Sequence, residues 1–236
     1  MFRSDIIYNN REHFASECSA VAKSRLKTEL CDNPPADVYV ARIPDVLKIA
    51  DIFPKERECE ILSVSNERVR REKYFVWKLL EYGLEKSLGL KIKEMCLSKN
   101  EYGKWITDSC EISLSHSGSA VAVAVSRAPI GIDIELLNAV RKEKIAAKIL
   151  TDSEKEAFAS VGESEKSAFL TKIWSLKEAI FKKSDAPLFE PSKIETVGKK
   201  AFSKELTVGT ESFILSVATD IPEKIRIFEN VDLTEI

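Results

Sequence analysis

Apolar and polar positions change period several times along the chain, and each change marks an element. Residues 11–30 fit a helix that stops before "DNPPAD", a strong breaker. "DVYVARI" (37–43) alternates like a strand. From Phe53 to Leu90 the pattern is helical, with a break near Ser63 to Asn66. Ser65 or Asn66 can cap a second helix there, and Gly89 suits its end. That helix is basic early (Arg68, Arg70, Arg71, Lys73) and apolar later (Phe75, Val76, Leu79, Leu80, Leu84). "NEYGKW" (100–105) reads as a turn, and "CEISLSHS" and "SAVAVAVS" as two short strands around a Ser-His-Ser-Gly corner. Thr151 with Glu154 three residues on forms a capping box. A long helix follows, "SEKSAFLTKIWSLKEAIFKKSD", then the strand-like pieces "ELTVGTESFILSVAT" and "KIRIFENVDL".

One strand breaks its own pattern. In "APIGIDIELL", alternation puts Ile130, Ile132, Ile134 and Leu136 on one face and Gly131, Asp133 and Glu135 on the other. Two carboxylates on one face repel unless water or a cation lies between them. The segment is a half-buried edge with a wet face or a metal-binding strand, and Gly131 is expected to leave open space beside the acids. On the long helix, Phe169, Ile173, Leu176 and Ile180 are expected to form the core stripe. Trp174, Glu178 and Lys182 form a second stripe. Glu178 and Lys182 are either a solvated i,i+4 pair or part of a site, and the bordering Trp174 and Phe181 are unusual for a face left in water. Finally, "YGKW…SLSHSGSAVAVAVS" echoes "VGKK…LTVGTESFILSVAT". The echo suggests two similar α+β halves, 36–129 and 130–236 with a C-terminal tail, behind an N-terminal extension at 1–35. The acidic strand then lies at their junction, where ligand sites often form.

Composition narrows the chemistry. A net charge of −2 gives no sign of bulk nucleic-acid binding, and no apolar run reaches membrane-spanning length. The N-terminus lacks the apolar core of a secretory signal. The 5 cysteines are scattered and read as reduced thiols of a cytoplasmic protein. Only 2 histidines, His13 and His116, argue against a histidine–cysteine zinc site and a Ser-His-Asp hydrolase. A metal here would need oxygen ligands, hence magnesium, manganese or calcium. His116, beside Ser115, Ser117 and Gly118, is either structural or a phosphate donor. Gly103 and Lys104 in their turn, and the basic face of Lys55, Arg57 and Lys73, could add cations if they face the same cleft.

Taken together, "YGKW", "SLSHS", "GIDIE" (131–135) and "WSLKEAIFK" (174–182), in that order, resemble the signature blocks of the 4′-phosphopantetheinyl transferases. The resemblance covers roughly residues 37 to 220. It points to the larger, two-half, monomeric Sfp-type branch rather than the short trimeric one. It implies an α+β fold of two halves related by pseudo-two-fold symmetry, each a small antiparallel sheet packed with a long helix. It also implies transfer of the phosphopantetheine arm of coenzyme A to a serine of an apo carrier protein, releasing adenosine 3′,5′-bisphosphate. By motif, Asp133, Glu135 and Glu178 would hold magnesium, or manganese. Glu178 and Lys182 would act in catalysis, Glu178 or a metal-bound water as the base. Lys182 would contact the coenzyme A phosphates, Ser115 and His116 the diphosphate or ribose phosphate, and Gly103 and Lys104 would border the adenine. Lys177 also lies in the motif. Many relatives carry an arginine for the 3′-phosphate where this chain has Trp77 and Lys78, so Lys78 or Lys73, with Lys55 or Arg57, would take its place. Alternatives are a catalytically silent binder of coenzyme A or a carrier, and an unrelated magnesium-dependent phosphohydrolase using the same acids.

Overall fold

The alternation of "AVAVAVS" sets the layering of the molecule. In the computed structural model, which describes residues 35–137, 145–184 and 186–234, this run is strand β5 (Ala120–Ser126) and every residue of it is buried. Val121, Val123 and Val125 join one core, and Ala120, Ala122 and Ala124 join another. The strand therefore sits in a middle layer, covered on both faces. The helix expected at 11–30 lies outside the described residues.

The first sheet has the order β4-β5-β1-β9, with β1 (Ala36–Arg42), β4 (Glu111–Ser117) and β9 (Ile225–Val231). Against its valine face lie α1 (Lys55–Leu62) and α2 (Glu67–Leu88), which bring Ile61, Phe75, Leu79, Leu80 and Leu84 into the core. Of the two candidate caps, Asn66 does the work: its side chain accepts from the Val69 N–H at 3.1 Å. Gly89 ends α2 in the left-handed conformation. A hairpin of β2 (Leu97–Lys99) and β3 (Trp105–Thr107) stands apart from this sheet.

The second sheet has the order β6-β8-β7, with β6 (Ile130–Leu136), β7 (Ala201–Val208) and β8 (Glu211–Thr219). Its inner face carries Ile130, Ile132, Ile134, Phe213, Leu215 and Val217, which pack onto the small alanine face of β5 and onto Val38 and Val40 of β1. Large side chains meet small ones, so the two sheets share one core. Three further helices follow β6: α3 (Ala146–Ile149), α4 (Asp152–Ala159) and α5 (Lys166–Lys183). The long helix α5 covers the outer face of β6 and β8. The layers run helix, sheet, sheet, helix. Among the described residues no helix is long and apolar enough to cross a membrane.

The α+β class with a long helix on each sheet holds, but two expectations change. The first sheet is mixed rather than antiparallel, because β9 pairs with β1 in parallel. Arg226 on β9 makes a bidentate ion pair with the buried Asp37 of β1, at 2.7 and 2.8 Å. A boundary at residue 130 therefore does not contain β9, which returns to the first sheet.

The packing stripe of α5 also differs. Phe169, Leu176 and Ile180 are only half-buried, whereas Thr171, Ser175 and Ala179 are buried along with Leu170 and Ile173. Small residues let this helix approach the sheet closely. A Cβ built on Gly131 would lie 2.0 Å from the Ala179 carbonyl oxygen and 2.4 Å from the Lys183 amide nitrogen. The expected open space beside the acids is thus filled by the helix backbone.

Candidate active site

The two sheets meet along the edges of β4 and β6, and the candidate residues gather there. The N–H groups of Ile132, Ile134 and Leu136 donate to the Oγ atoms of Ser113, Ser115 and Ser117, at 3.0, 3.2 and 3.2 Å. Buried edge amides need partners, and serines at period two on β4 supply them. The same hydroxyls reach the acids. Ser115 donates to Asp133 Oδ1 at 2.8 Å, and Ser117 to Glu135 Oε2 at 3.1 Å.

Helix α5 closes the cluster from the other side. Ser175 donates to the Asp133 carbonyl at 3.4 Å. Two turns on, the Lys182 ammonium donates to Asp133 Oδ1 at 2.8 Å and lies 3.4 Å from Glu178 Oε2. It also reaches Ser115 Oγ at 3.2 Å. The structure thus brings Asp133, Glu135, Glu178 and Lys182 together, and the exposed-pair reading of Glu178 and Lys182 does not hold. Asp133 keeps only 4% of its surface exposed.

Burial pushes the Glu178 carboxyl above the usual glutamate range. Lys182 works against this, while Asp133 and Glu135 add to it. For Lys182, burial pulls toward the neutral amine, but the charges of Asp133 and Glu178 outweigh it, and its pKa is raised.

Lys104 joins this group through its ammonium, which donates to the Lys182 carbonyl at 2.8 Å, at the C-terminal end of α5. The turn that carries it is built by Asn100, whose side chain accepts from the N–H groups of Tyr102 and Lys104, at 3.0 and 2.9 Å. Gly103 supplies the required positive φ of 79°. A cavity of about 300 Å³ lies between this turn, β4 and Lys182.

His116 points to the other side of β4, where its Nδ1 lies 3.4 Å from Glu72 Oε2 on α2. Burial holds its pKa below the ordinary value. Glu72 opposes this, and Lys182, Arg57 and Lys73 reinforce it.

Other expected phosphate contacts are differently employed. Lys177 is fully buried: its ammonium pairs with Glu154 at 2.6 Å and donates to the carbonyls of Pro191 and Ile194, both at 2.8 Å. Glu154 is also the capping-box residue of α4, so Lys177 ties that helix start to residues 191–194 and has no donor left for a ligand. Ser115 Oγ donates to Asp133 and accepts from the Ile134 N–H and from Lys182, so its proton and both lone pairs are in use in this structure. Arg57 is buried over the Trp77 ring, 4.9 Å from its centroid, bonded to Glu60 and to the Lys73 carbonyl. Burial lowers its pKa to about 10. Lys55 is exposed and paired with Glu58, and Lys78 is paired with Glu81, so neither is directed at the seam by these contacts. The serine ladder was missed at the level of sequence, although Ser113, Ser115 and Ser117 already stood at strand period.

Among the described residues no three His, Cys, Asp or Glu side chains are already gathered as a ligand set, and the Lys182 ammonium stands between Asp133 and Glu178. Two observations fit a hard divalent cation: every candidate donor is a carboxylate oxygen, and Asp133 Oδ2 is buried with no hydrogen-bond partner.

Residues 129–217, which include β6, α5 and β7, match the family model of the 4′-phosphopantetheinyl transferase superfamily. The matched segment contains all four clustered residues. Relatives include 4′-phosphopantetheinyl transferase gsp of Aneurinibacillus migulanus, 29% identical over 105 residues, which are 44% of each chain. The 4′-phosphopantetheinyl transferase Sfp of Bacillus subtilis (strain 168) is 32% identical over 114 residues, 47% of this chain and 48% of that protein. Enterobactin synthase component D of Escherichia coli (strain K12) is 40% identical over 74 residues, 31% of this chain and 35% of that protein. The matches to these three thus span less than half of each relative's length.

Proposed function

We propose that the chain transfers the 4′-phosphopantetheine group of coenzyme A to a serine hydroxyl of an apo carrier protein, in a magnesium-dependent reaction that manganese also supports. The carrier serine oxygen bonds to the phosphorus that bears the pantetheine arm. The bond from that phosphorus to the bridging oxygen breaks, and adenosine 3′,5′-bisphosphate leaves. The observation that carries this reading is the cluster of the buried Asp133 with the half-buried Glu135, Glu178 and Lys182, within the segment that matches the transferase family model.

Asp133, Glu135 and Glu178 would hold the cation, which supplies charge neutralisation at the diphosphate oxygens. Lys182 would donate to the phosphate oxygens, and Lys104, beside the cavity next to it, would border the adenine. The serine proton would go to Glu178 or to a water held by the cation. No nucleophile is required of the chain itself.

The test is intact mass spectrometry of a panel of apo carriers incubated with the protein, coenzyme A and magnesium. A gain of one phosphopantetheine group, absent with EDTA, is the expected result. Binding of coenzyme A with no gain on any carrier would favour the silent binder. Phosphate or nucleotide release without carrier modification would favour a phosphohydrolase.

A further inference from the structure

The two oxygens of Asp133 are treated differently by the fold. Oδ1 accepts from Ser115 at 2.8 Å and from Lys182 at 2.8 Å. Oδ2 is buried and has no hydrogen-bond partner. A buried carboxylate oxygen left bare is costly unless a ligand completes it.

Ser115 is itself held: it is 94% buried on strand β4, it accepts the Ile134 N–H, and Ile134 is the residue after Asp133. Because one hydroxyl grips both the side chain of Asp133 and the backbone beside it, the carboxylate cannot turn about its axis without breaking that bond. We propose that Ser115 is a positioning residue of the cation site: it engages Oδ1 so that Oδ2 is the oxygen Asp133 offers to a divalent cation. This rests on the reading of the acids as cation ligands given above, and it goes beyond that reading by assigning the ligating atom and the residue that selects it.

Ser113 provides an internal control. It accepts the Ile132 N–H in the same way, at 3.0 Å, whereas the side-chain bonds to Asp133 come from Ser115 and Lys182. Loss of either serine hydroxyl strands one β6 amide, so both substitutions should lower the melting temperature. Only the loss at 115 removes a bond to the carboxylate, leaving Oδ1 with Lys182 alone.

The experiment is manganese binding to the metal-free protein, followed by electron paramagnetic resonance of free manganese, with no coenzyme A or carrier present. Residues that orient a metal ligand typically contribute about 10- to 100-fold in affinity. Ser115→Ala should therefore bind manganese at least about tenfold more weakly. Ser113→Ala should bind like wild type, and Ser115→Thr, which keeps the hydroxyl, should recover most of the affinity. If Ser115→Ala does not fold, Ser115→Cys, a poorer donor of similar size, should show the same weakening. Unchanged manganese affinity in Ser115→Ala overturns the proposal, and weaker coenzyme A binding in EDTA would then mark Ser115 as a phosphate contact. Equal losses in Ser113→Ala and Ser115→Ala also overturn it, because the effect would then come from strand support alone. If wild type binds no manganese, the cation reading itself fails, and this inference with it.

Discussion

Replacing Gly131 with alanine adds one methyl group at the closest approach in the site. The methyl carbon would lie 2.0 Å from the Ala179 carbonyl oxygen and 2.4 Å from the Lys183 amide nitrogen. An ordinary carbon–oxygen contact needs about 3.3–3.6 Å, so helix α5 must retreat from β6 by more than ~1 Å. Both atoms belong to the helix backbone, and no side chain can rotate out of the way. Overpacking a core costs about 1–3 kcal/mol, and a backbone clash of this depth belongs at the upper end. For a chain of this size, ~3 kcal/mol corresponds to a fall in melting temperature of roughly 6–12 °C.

The displacement has a second consequence, because α5 carries Glu178 and Lys182. Moving them by ~1 Å stretches the 2.8 Å bond from Lys182 to Asp133. A misplacement of that size can cost about a hundredfold in rate. The control is Gly83→Ala, where the new methyl would meet side chains rather than backbone, Val125 at 3.4 Å and the Tyr39 ring at 3.1 and 3.2 Å. That ring can yield by a few tenths of an ångström, and alanine gains about 1 kcal/mol of helix propensity over glycine, so the net change should be small. Thermal melts of both variants, with phosphopantetheine transfer as the second readout, decide the matter. If Gly131→Ala melts within about 2 °C of wild type and keeps full activity, the close approach of α5 to β6 is wrong and so is the geometry built on it.

Lys182→Ala leaves Asp133 with Ser115 alone. Breaking a buried pair costs about 3–5 kcal/mol, and because 26% of the Lys182 side chain is exposed, a loss of about 1–3 kcal/mol is expected. Melts in EDTA should show this loss, and added magnesium should restore part of it; an unchanged melt in EDTA would mean that the ion pair contributes nothing. His116 has a folded-state pKa below its unfolded value of about 6.5, so its contribution to stability is present above that pH and is lost as pH falls through 6.5 toward the folded value. Between pH 7 and about 5 the melting temperature of His116→Gln should therefore fall less steeply than that of wild type, and parallel curves would show that His116 is not held neutral by its surroundings.

Local signals carried much of this fold into the sequence. Asn66, Gly89 and the Thr151–Glu154 box each act within one helical turn, and the valine–alanine alternation of β5 carries both of its contacts in its own period. What failed depends on distant partners. The parallel pairing of β9 with β1 joins residues separated by most of the chain, and nothing in "KIRIFENVDL" specifies which edge it meets. The core stripe of α5 was misread because hydrophobicity was taken as the mark of burial, whereas Ser175 and Ala179 are buried for their small size. At the site, Asp133, Glu178 and Lys182 were legible because a strand period and a helix period each put charge on one defined face. The cations expected to meet phosphate were less so, since a basic helix position does not reveal whether its charge is already spent, as for Lys78 on Glu81 and Lys177 on Glu154.

The seam explains why the site lies where it does. Two sheets that share a core leave two strand edges, β4 and β6, facing each other without a backbone ladder between them. The amides of β6 must be satisfied there, and serine is a side chain that can accept from an amide and still donate one proton onward. That remaining proton has to find an acceptor in a buried place, and at residues 115 and 117 it finds Asp133 and Glu135. Carboxylates brought into such a position need positive charge, which α5 delivers as Lys182 through the close approach that Gly131 permits. Each requirement thus creates the next: edge amides call for hydroxyls, hydroxyls for carboxylates, carboxylates for a cation. The ammonium reaches only Oδ1 of Asp133, and Oδ2 is left bare. The chain of requirements therefore ends on an atom that no group within the described residues completes, and a cation arriving with a phosphate-bearing substrate is the kind of partner that would complete it.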